Sequence, residues 1–383
     1  MNFELSDEIL EYLKASEGET IELIETLCKI PAPSGHEEKR AEFCKNWLTE
    51  QGAEGVVIDE TLNVLYPVGC EGKDNIILFM AHTDTVFPDT EPMPVVNDGE
   101  YIYSPGVGDD TASLAVLLMI AKYVAKNHLE PPCGILFAAD SCEEGLGNLK
   151  GIKQIMKTYG KRIKEAYTFD SNYTSFVNKC VGSHRYEIIF ETEGGHSFGR
   201  FGNRNAIYAM SDLVCKLYEC EVPVCENSKT TYNVGVVEGG TSVNTIAQKA
   251  TLLYEYRSDS AECLEKMKQF FESEIEKAKQ SGKAEITVKT IGERPCGGDV
   301  DKEHLAQMSE KVARICQKHS GKLCPSRSSS TDCNIPMSMG IPAISMGCYV
   351  GQGAHTREEK VLISSIPVGL KIAAEIILGY FER

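Results

Sequence analysis

The sequence predicts an α/β fold: a mostly parallel central sheet covered by helices on both faces, interrupted by a smaller inserted α+β domain. Three observations predict it. Apolar runs of strand length at 76–80, 135–139 and 166–169 alternate with helical stretches, and strands apolar along their whole length belong in a parallel sheet buried on both faces. Near Val181 the texture changes to strands of alternating apolar and polar residues, in the order strand, helix, strand, strand, helix, strand, the ferredoxin-like pattern. After Gly297-Gly298 the first texture returns. The expected division is therefore 1–181, 182–293 and 294–383, with the outer two segments forming one domain and the middle one another.

Each element has its own signal. The first 50 residues read as helix, turn, helix. The turn is Pro31-Ala32-Pro33-Ser34-Gly35, and Ser34 and Glu37 have capping-box spacing for a helix carrying Phe43 and Trp47 four residues apart. Residues 111–126 form a helix with Leu114, Leu117, Leu118 and Ala121 on one face. In the insert, Tyr186, Ile188 and Phe190 alternate with Glu187, Ile189 and Glu191 along 185–192. A helix comes next at 205–219, then strands at 231–237 and 249–257, a charged helix at 261–280 and a strand at 285–291. The last segment reads as a helix at 304–319, a strand at 342–346 and a helix at 366–381.

Composition narrows the function. Lysine plus arginine number 39 against 56 aspartates plus glutamates, a formal net charge of −17, so neither nucleic-acid phosphates nor an anionic membrane is an expected partner. The 15 cysteines are odd in number and none has C-x-x-C spacing; Cys28, Cys44 and Cys215 sit in apolar surroundings, where cysteine acts as a small hydrophobe. The acidic amino terminus has neither the basic nor the apolar region of a secretory leader, and no run approaches the roughly 18 apolar residues of a spanning helix. A soluble, reducing, cytoplasmic setting is expected.

The residues just beyond each apolar strand carry the chemistry. Ala81-His82-Thr83-Asp84 succeeds the first, Glu143-Glu144 the second and Asp170 the third. Gly106-Val107-Gly108-Asp109-Asp110 precedes the helix at 111, and Gly351-Gln352-Gly353-Ala354-His355 lies near the carboxyl end. A parallel sheet gathers such strand ends at one edge. Taken singly, each has a bland reading: a satisfied histidine, an aspartate N-cap, a solvated strand end. Jointly, so many carboxylates cannot converge uncompensated. Two histidines with several carboxylates suit zinc, and a set this large suits two ions sharing a bridging carboxylate.

With these residues, AHTD (81–84), GVGDD (106–110), SCEEG (141–145), GGHS (194–197), EGGTSVNTI (238–246) and GAHTREE (353–359), the sequence resembles the M20 family of di-zinc metallopeptidases, over nearly its whole length. The resemblance implies a zinc-peptidase catalytic domain carrying an inserted lid and dimerisation domain. It implies one metal held by His82, Asp109 and Asp170 and a second by Asp109, Glu144 and His355, with Asp109 bridging. Two zinc ions per subunit are implied, cobalt or manganese being alternatives. Asp84 would orient His82, and Glu143 would be the general base that deprotonates the attacking water and protonates the leaving nitrogen. His196 would stabilise an oxyanion, across a dimer interface; Asn244 and Arg257 would bind the substrate's carboxylate or main chain. Asp332 and Asn334 are candidates near the substrate. The sequence departs from the family where Thr111 and Ser113 replace a lysine and a glycine, and where Ser141-Cys142 precedes the glutamate pair; none of these is a ligand position.

The expected activity is hydrolysis of a peptide or amide bond in small peptides, as in the peptidase T-like aminopeptidases and tripeptidases, by a homodimer formed through the lid. The alternative within the same chemistry is an N-acyl-amino-acid deacylase. A metal-free two-carboxylate glycosidase leaves His82 and His355 unexplained, and a non-catalytic family member leaves Glu143 and the full ligand set unexplained.

Overall fold

In a computed structural model that describes residues 3–382, the apolar runs become neighbouring strands of one sheet. Among the described residues this sheet has eight strands, in the order Val57–Ile58, Val64–Val68, Gly134–Asp140, Ile76–His82, Ile163–Phe169, Ala343–Met346, Phe176–Cys180, Ser326–Ser329. The four from Gly134–Asp140 to Ala343–Met346 run parallel. Val64–Val68 and Phe176–Cys180 flank them antiparallel. Every residue of Ile76–His82 and Gly134–Asp140 is buried, which is what a sheet covered on both faces requires. Because the central strands are parallel, His82, Asp140 and Phe169 all end at one edge, with His82 in register with Asp140.

The helix predicted from residue 111 begins at Ser113 and runs to Lys126. It is buried from Ser113 to Ala125, beyond the single apolar face read from its leucines, because it packs between the sheet and the Glu17–Cys28 and Ile366–Leu378 helices. Before it lies an irregular turn, Val107–Ala112, entered through Gly106 at φ 73°. There Asp109 and Asp110 leave helical angles (φ −101°, ψ 90° and φ −125°, ψ 23°), their shared peptide is cis, and neither side chain caps a helix.

Two readings of the amino-terminal region need correction. Residues up to 50 form three helices, Asp7–Ala15, Glu17–Cys28 and Glu38–Glu50, with Ser16 closing the first and opening the second. The Ser34/Glu37 capping box does not form: Glu37 itself occupies the cap position, without a side-chain cap bond. Ser34 Oγ donates instead to Asp84 Oδ2 (2.6 Å), and Glu37 Oε1 accepts from Gly35 N (2.8 Å) and Cys142 N (3.1 Å). Acceptors and donors at the sheet edge outcompete the helix end for these two side chains.

The chain divides into two compact units, one made of the chain up to Lys179 together with the segment from Asp299 onward, the other Cys180–Gly298. In the second unit the strands stand in the order Thr230–Gly239, Lys249–Ser258, Gly182–Glu191, Glu285–Arg294, each antiparallel to its neighbour. Helices Ala206–Tyr218 and Ala261–Gln280 pack on this sheet; their amino ends are capped by Asn205 Oδ1 and Ser260 Oγ. The alternation of Gly182–Glu191 places Tyr186, Ile188 and Phe190 in this unit's own core, where the Phe271 ring stacks on Tyr186 with centroids 4.2 Å apart. Phe271→Ala is expected to destabilise this unit by about 3–5 kcal/mol, read by chemical denaturation; a loss below about 1 kcal/mol would mean that this helix face is not the core contact.

Candidate metal centre

The carboxyl edge of the large sheet gathers chemistry from five chain segments. His82 ends one central strand, Asp170 follows another, Glu143 and Glu144 follow a third, Asp109 hangs from the irregular turn, and His355 lies between the short paired strands Gly351–Gln352 and Lys360–Leu362. His82 Nε2 is 3.0 Å from Asp109 Oδ1, and His355 Nε2 is 3.1 Å from Asp109 Oδ2 and 3.0 Å from Glu144 Oε1. Three sets have ligand atoms mutually within 4.8 Å: His82, Asp109 and Asp170; Asp109, Glu144 and His355; and His82, Glu143 and Glu144. Asp109 belongs to the first two, one oxygen toward each histidine. Glu143 lies within ligating reach as well, so distance alone does not separate its role from that of Glu144.

Charge at the edge is unbalanced in an informative way. Burial pushes the Asp170 carboxyl up to about 7, and the Asp109 charge pushes the same way. Burial also raises Asp110, whose Oδ2 accepts from His82 N. Hydrogen bonds to Asp109 and Glu144 pull His355 up to about 11. His82 is raised too, its bonds to Asp109 and Asp84 overcoming its burial. The carboxylates thus favour the charged form of both imidazoles. The same nitrogens, deprotonated, are donors to a cation, and two imidazoles with three carboxylates form a set that suits zinc. His82 Nδ1 faces Asp84, 3.1 Å from its carbonyl oxygen and 3.4 Å from Oδ1, which leaves Nε2 of the neutral ring as its donor atom.

Asp84 does more than orient this imidazole. It is fully buried, and its Oδ1 and Oδ2 accept from Glu143 N and Glu144 N, each at 2.9 Å. One carboxylate thus holds the backbone of both glutamates from behind. Cys142 precedes them at φ 57°, and Glu144 is extended (φ −75°, ψ 148°), with a carboxylate oxygen of each glutamate within 4.8 Å of one of the other. Sequence reasoning missed Ser34 as the donor to Asp84, and Glu37 and Arg40 as braces of the backbone beside it. Ser34 and Glu37 are hidden by their plausible capping role. Arg40 is buried, donating to the carbonyls of Leu27 (2.9 Å), Ile30 (2.8 Å) and Thr83 (2.8 Å). Its signal was present: with Cys44 and Leu48 it lies on the buried stripe of its helix, where an unpaired cation is out of place.

Other predicted residues lie elsewhere. Asp332 and Asn334 are buried at 1% and 0% exposure, so they support the edge and offer no surface to a substrate. Burial pushes the Asp140 carboxyl up to about 7, and the oxygens of both Asp140 and Asp332 are buried without a hydrogen-bond partner among the described residues. In the second unit His196 and Asn244 share one corner: His196 pairs with Thr245 across a short ladder, and Asn244 O accepts from Ser197 N at 2.9 Å. His196 Nδ1 accepts from Phe198 N and Gly199 N at 3.3 Å, leaving Nε2–H as a donor. Arg257 is not in that corner. It stands near the far end of Lys249–Ser258, with Nε and Nη2 on the Glu255 carboxylate at 2.9 and 3.0 Å. Among the described residues no helix is long and apolar enough to cross a membrane.

The chain is similar to known proteins over most of its length. The profile of peptidase family M20/M25/M40 matches residues 78–379. Succinyl-diaminopimelate desuccinylase of Corynebacterium glutamicum is 23% identical over 91% of this chain and 93% of its own. The crystal structure of aminopeptidase PepT from Bacillus cereus superposes with a TM-score of 0.73 at 20% identity, covering 96% of this chain and 99% of that one. A Staphylococcus aureus tripeptidase gives 0.74 at 22% identity with the same coverage.

Asp84→Ala removes the acceptor of Glu143 N, Glu144 N and Ser34 Oγ at once. Divalent-cation affinity is expected to fall roughly 10–100-fold, measured by chelator competition; unchanged affinity would mean that Asp84 orders neither the imidazole nor the glutamate pair.

Proposed function

The chain belongs to peptidase family M20/M25/M40 and is a hydrolase of that family, and from that premise we propose that it cleaves a peptide bond in small peptides at a two-metal centre. The observation that carries this reading is Asp109, which offers one carboxylate oxygen to each of two His-and-carboxylate groups. His82, Asp109 and Asp170 would hold one divalent ion and Asp109, Glu144 and His355 the other, zinc being the first choice. Bound there, the ions supply Lewis-acid polarisation of the amide carbonyl and a lower water pKa.

The chain's own residues do the rest. Glu143, 5% exposed and held through its backbone by Asp84, takes a proton on its carboxylate from the attacking water. It then releases that proton to the leaving nitrogen, the work of a general base turned acid. His196, with Nε2–H free to donate, would stabilise the oxyanion, and Asn244 and Arg257 would bind the substrate's carboxylate or main chain. His196 pairs with Thr245 in a short two-stranded ladder, whereas Arg257 stands in the four-stranded sheet, about eight residues or roughly 26 Å along Lys249–Ser258 from that strand's start. That separation supports a homodimer through the second unit, in which two copies contribute to each substrate. Most of the fifteen cysteines are buried, and none is in a disulfide among the described residues, which supports a reducing, cytoplasmic setting.

A second reading, N-acyl-amino-acid deacylation, draws support from the desuccinylase relative. One hydrolysis panel on the zinc-loaded chain decides: di- and tripeptides are expected to be cleaved and N-acyl amino acids not, and the reverse preference would replace the peptidase reading with the deacylase one. Glu143→Ala is expected to keep native metal content while turnover falls on the order of 10²-fold or more, whereas Glu144→Ala loses metal. Metal loss in the first variant and retention in the second would exchange the two roles.

A further inference from the structure

The irregular turn that carries Asp109 is tied to the chain around it at both ends. Val107 N reaches Ser104 O at 3.1 Å, and Thr111 N only approaches Gly106 O at 3.4 Å. Gly106 N, Gly108 N and Asp109 N point instead at one side chain, the buried Glu359 carboxylate. Glu359 Oε2 accepts from Gly106 N at 2.7 Å, and Oε1 accepts from Gly108 N at 3.1 Å and Asp109 N at 2.9 Å. Backbone N–H groups gathered on a carboxylate form a nest; burial raises the Glu359 carboxyl to about 7, and these three N–H bonds act against that rise. The approach is close enough to dictate sequence: a Cβ on Gly108 would meet Glu359 Oε1 at 2.8 Å and the Tyr349 ring at 2.9 Å.

Glu359 is itself fixed. It immediately precedes Lys360–Leu362, which pairs with Tyr101–Tyr103, and its carbonyl accepts from Ser104 N at 3.1 Å. The two partners, the segment bearing Glu359 and the turn bearing Asp109, are thus tied at both backbone and side chain. The same segment bears His355 four residues earlier. A shift of the turn would move the Asp109 oxygens relative to both histidines at once.

We infer that Glu359 is a positioning residue of the two-metal centre: its carboxylate clamps the 106–109 turn so that Asp109 can bridge the two ions. The inference rests on the two-metal reading above. Glu359→Gln preserves size, but an amide presents one acceptor oxygen and one NH2, so at least one of the three N–H groups faces a donor. Glu359→Asp keeps the charge and falls a methylene short.

Zinc affinity of the full chain, measured by competition with a chromophoric chelator alongside the melting temperature of the metal-free protein, tests this. The native chain is expected to bind two ions. In Glu359→Gln at least one dissociation constant rises roughly 10–100-fold, Glu359→Asp falls between, and the metal-free melting temperatures stay within a few degrees. Native affinities in Glu359→Gln would overturn the inference. So would a loss of affinity accompanied by an equal collapse of metal-free stability, which would make Glu359 a purely structural anchor. A native chain that binds no zinc would remove the two-metal reading and this inference with it, an outcome visible before any variant is made.

Discussion

Asp109 lies between two imidazoles, one carboxylate oxygen 3.0 Å from His82 Nε2 and the other 3.1 Å from His355 Nε2. Around it stand Asp110, Asp170, Glu143 and Glu144, all in or near buried surroundings. Like charges packed this way raise one another's pKa and work against folding unless a cation offsets them. This crowding is the constraint on which the rest of the larger unit's edge depends. The two imidazoles, whose charged forms the carboxylates favour, offset part of it. A pair of divalent ions on the same nitrogen and oxygen atoms would balance most of it and supply the chemistry proposed for the site.

Crowding also explains the scaffolding. Apart from His82, the last residue of its strand, the ligand-bearing segments are irregular pieces of chain outside the sheet ladder. Buried side chains replace its hydrogen bonds. Asp84 holds the backbone of Glu143 and Glu144, Ser34 and Glu37 brace that arrangement from the amino-terminal turn, and Arg40 joins the carbonyls of Leu27, Ile30 and Thr83. Glu359 performs the corresponding service for the turn of Asp109. Carboxylates that face backbone N–H groups are thereby kept from adding to the repulsion among those that face the site.

Much of this was legible in the sequence, for a physical reason. A parallel sheet buries its strands on both faces and collects their ends at one edge, so the uninterrupted apolar runs before His82, Glu143 and Asp170 announce both the fold and the neighbourhood. The strands run to His82 and Asp140, past the residues where hydrophobicity stops, because backbone pairing continues into the polar residues of the edge. The illegible part is the part that local pattern disguises. Ser34 and Glu37 satisfy a helix-capping rule that tertiary partners override. Glu359 sits among charged residues in GAHTREE, where nothing local marks it as buried. Arg257 reads as a free guanidinium, yet its Glu255 partner lies two residues away on the same strand.

The most direct test of the account is the metal stoichiometry of Asp109→Asn beside that of the native chain, with far-ultraviolet circular dichroism to verify the fold. If one carboxylate bridges two ions, removing its charge weakens both sites, and the variant retains neither ion under conditions where the native chain holds two. Two ions bound by the variant with native affinity would contradict the claim that Asp109 organises the site.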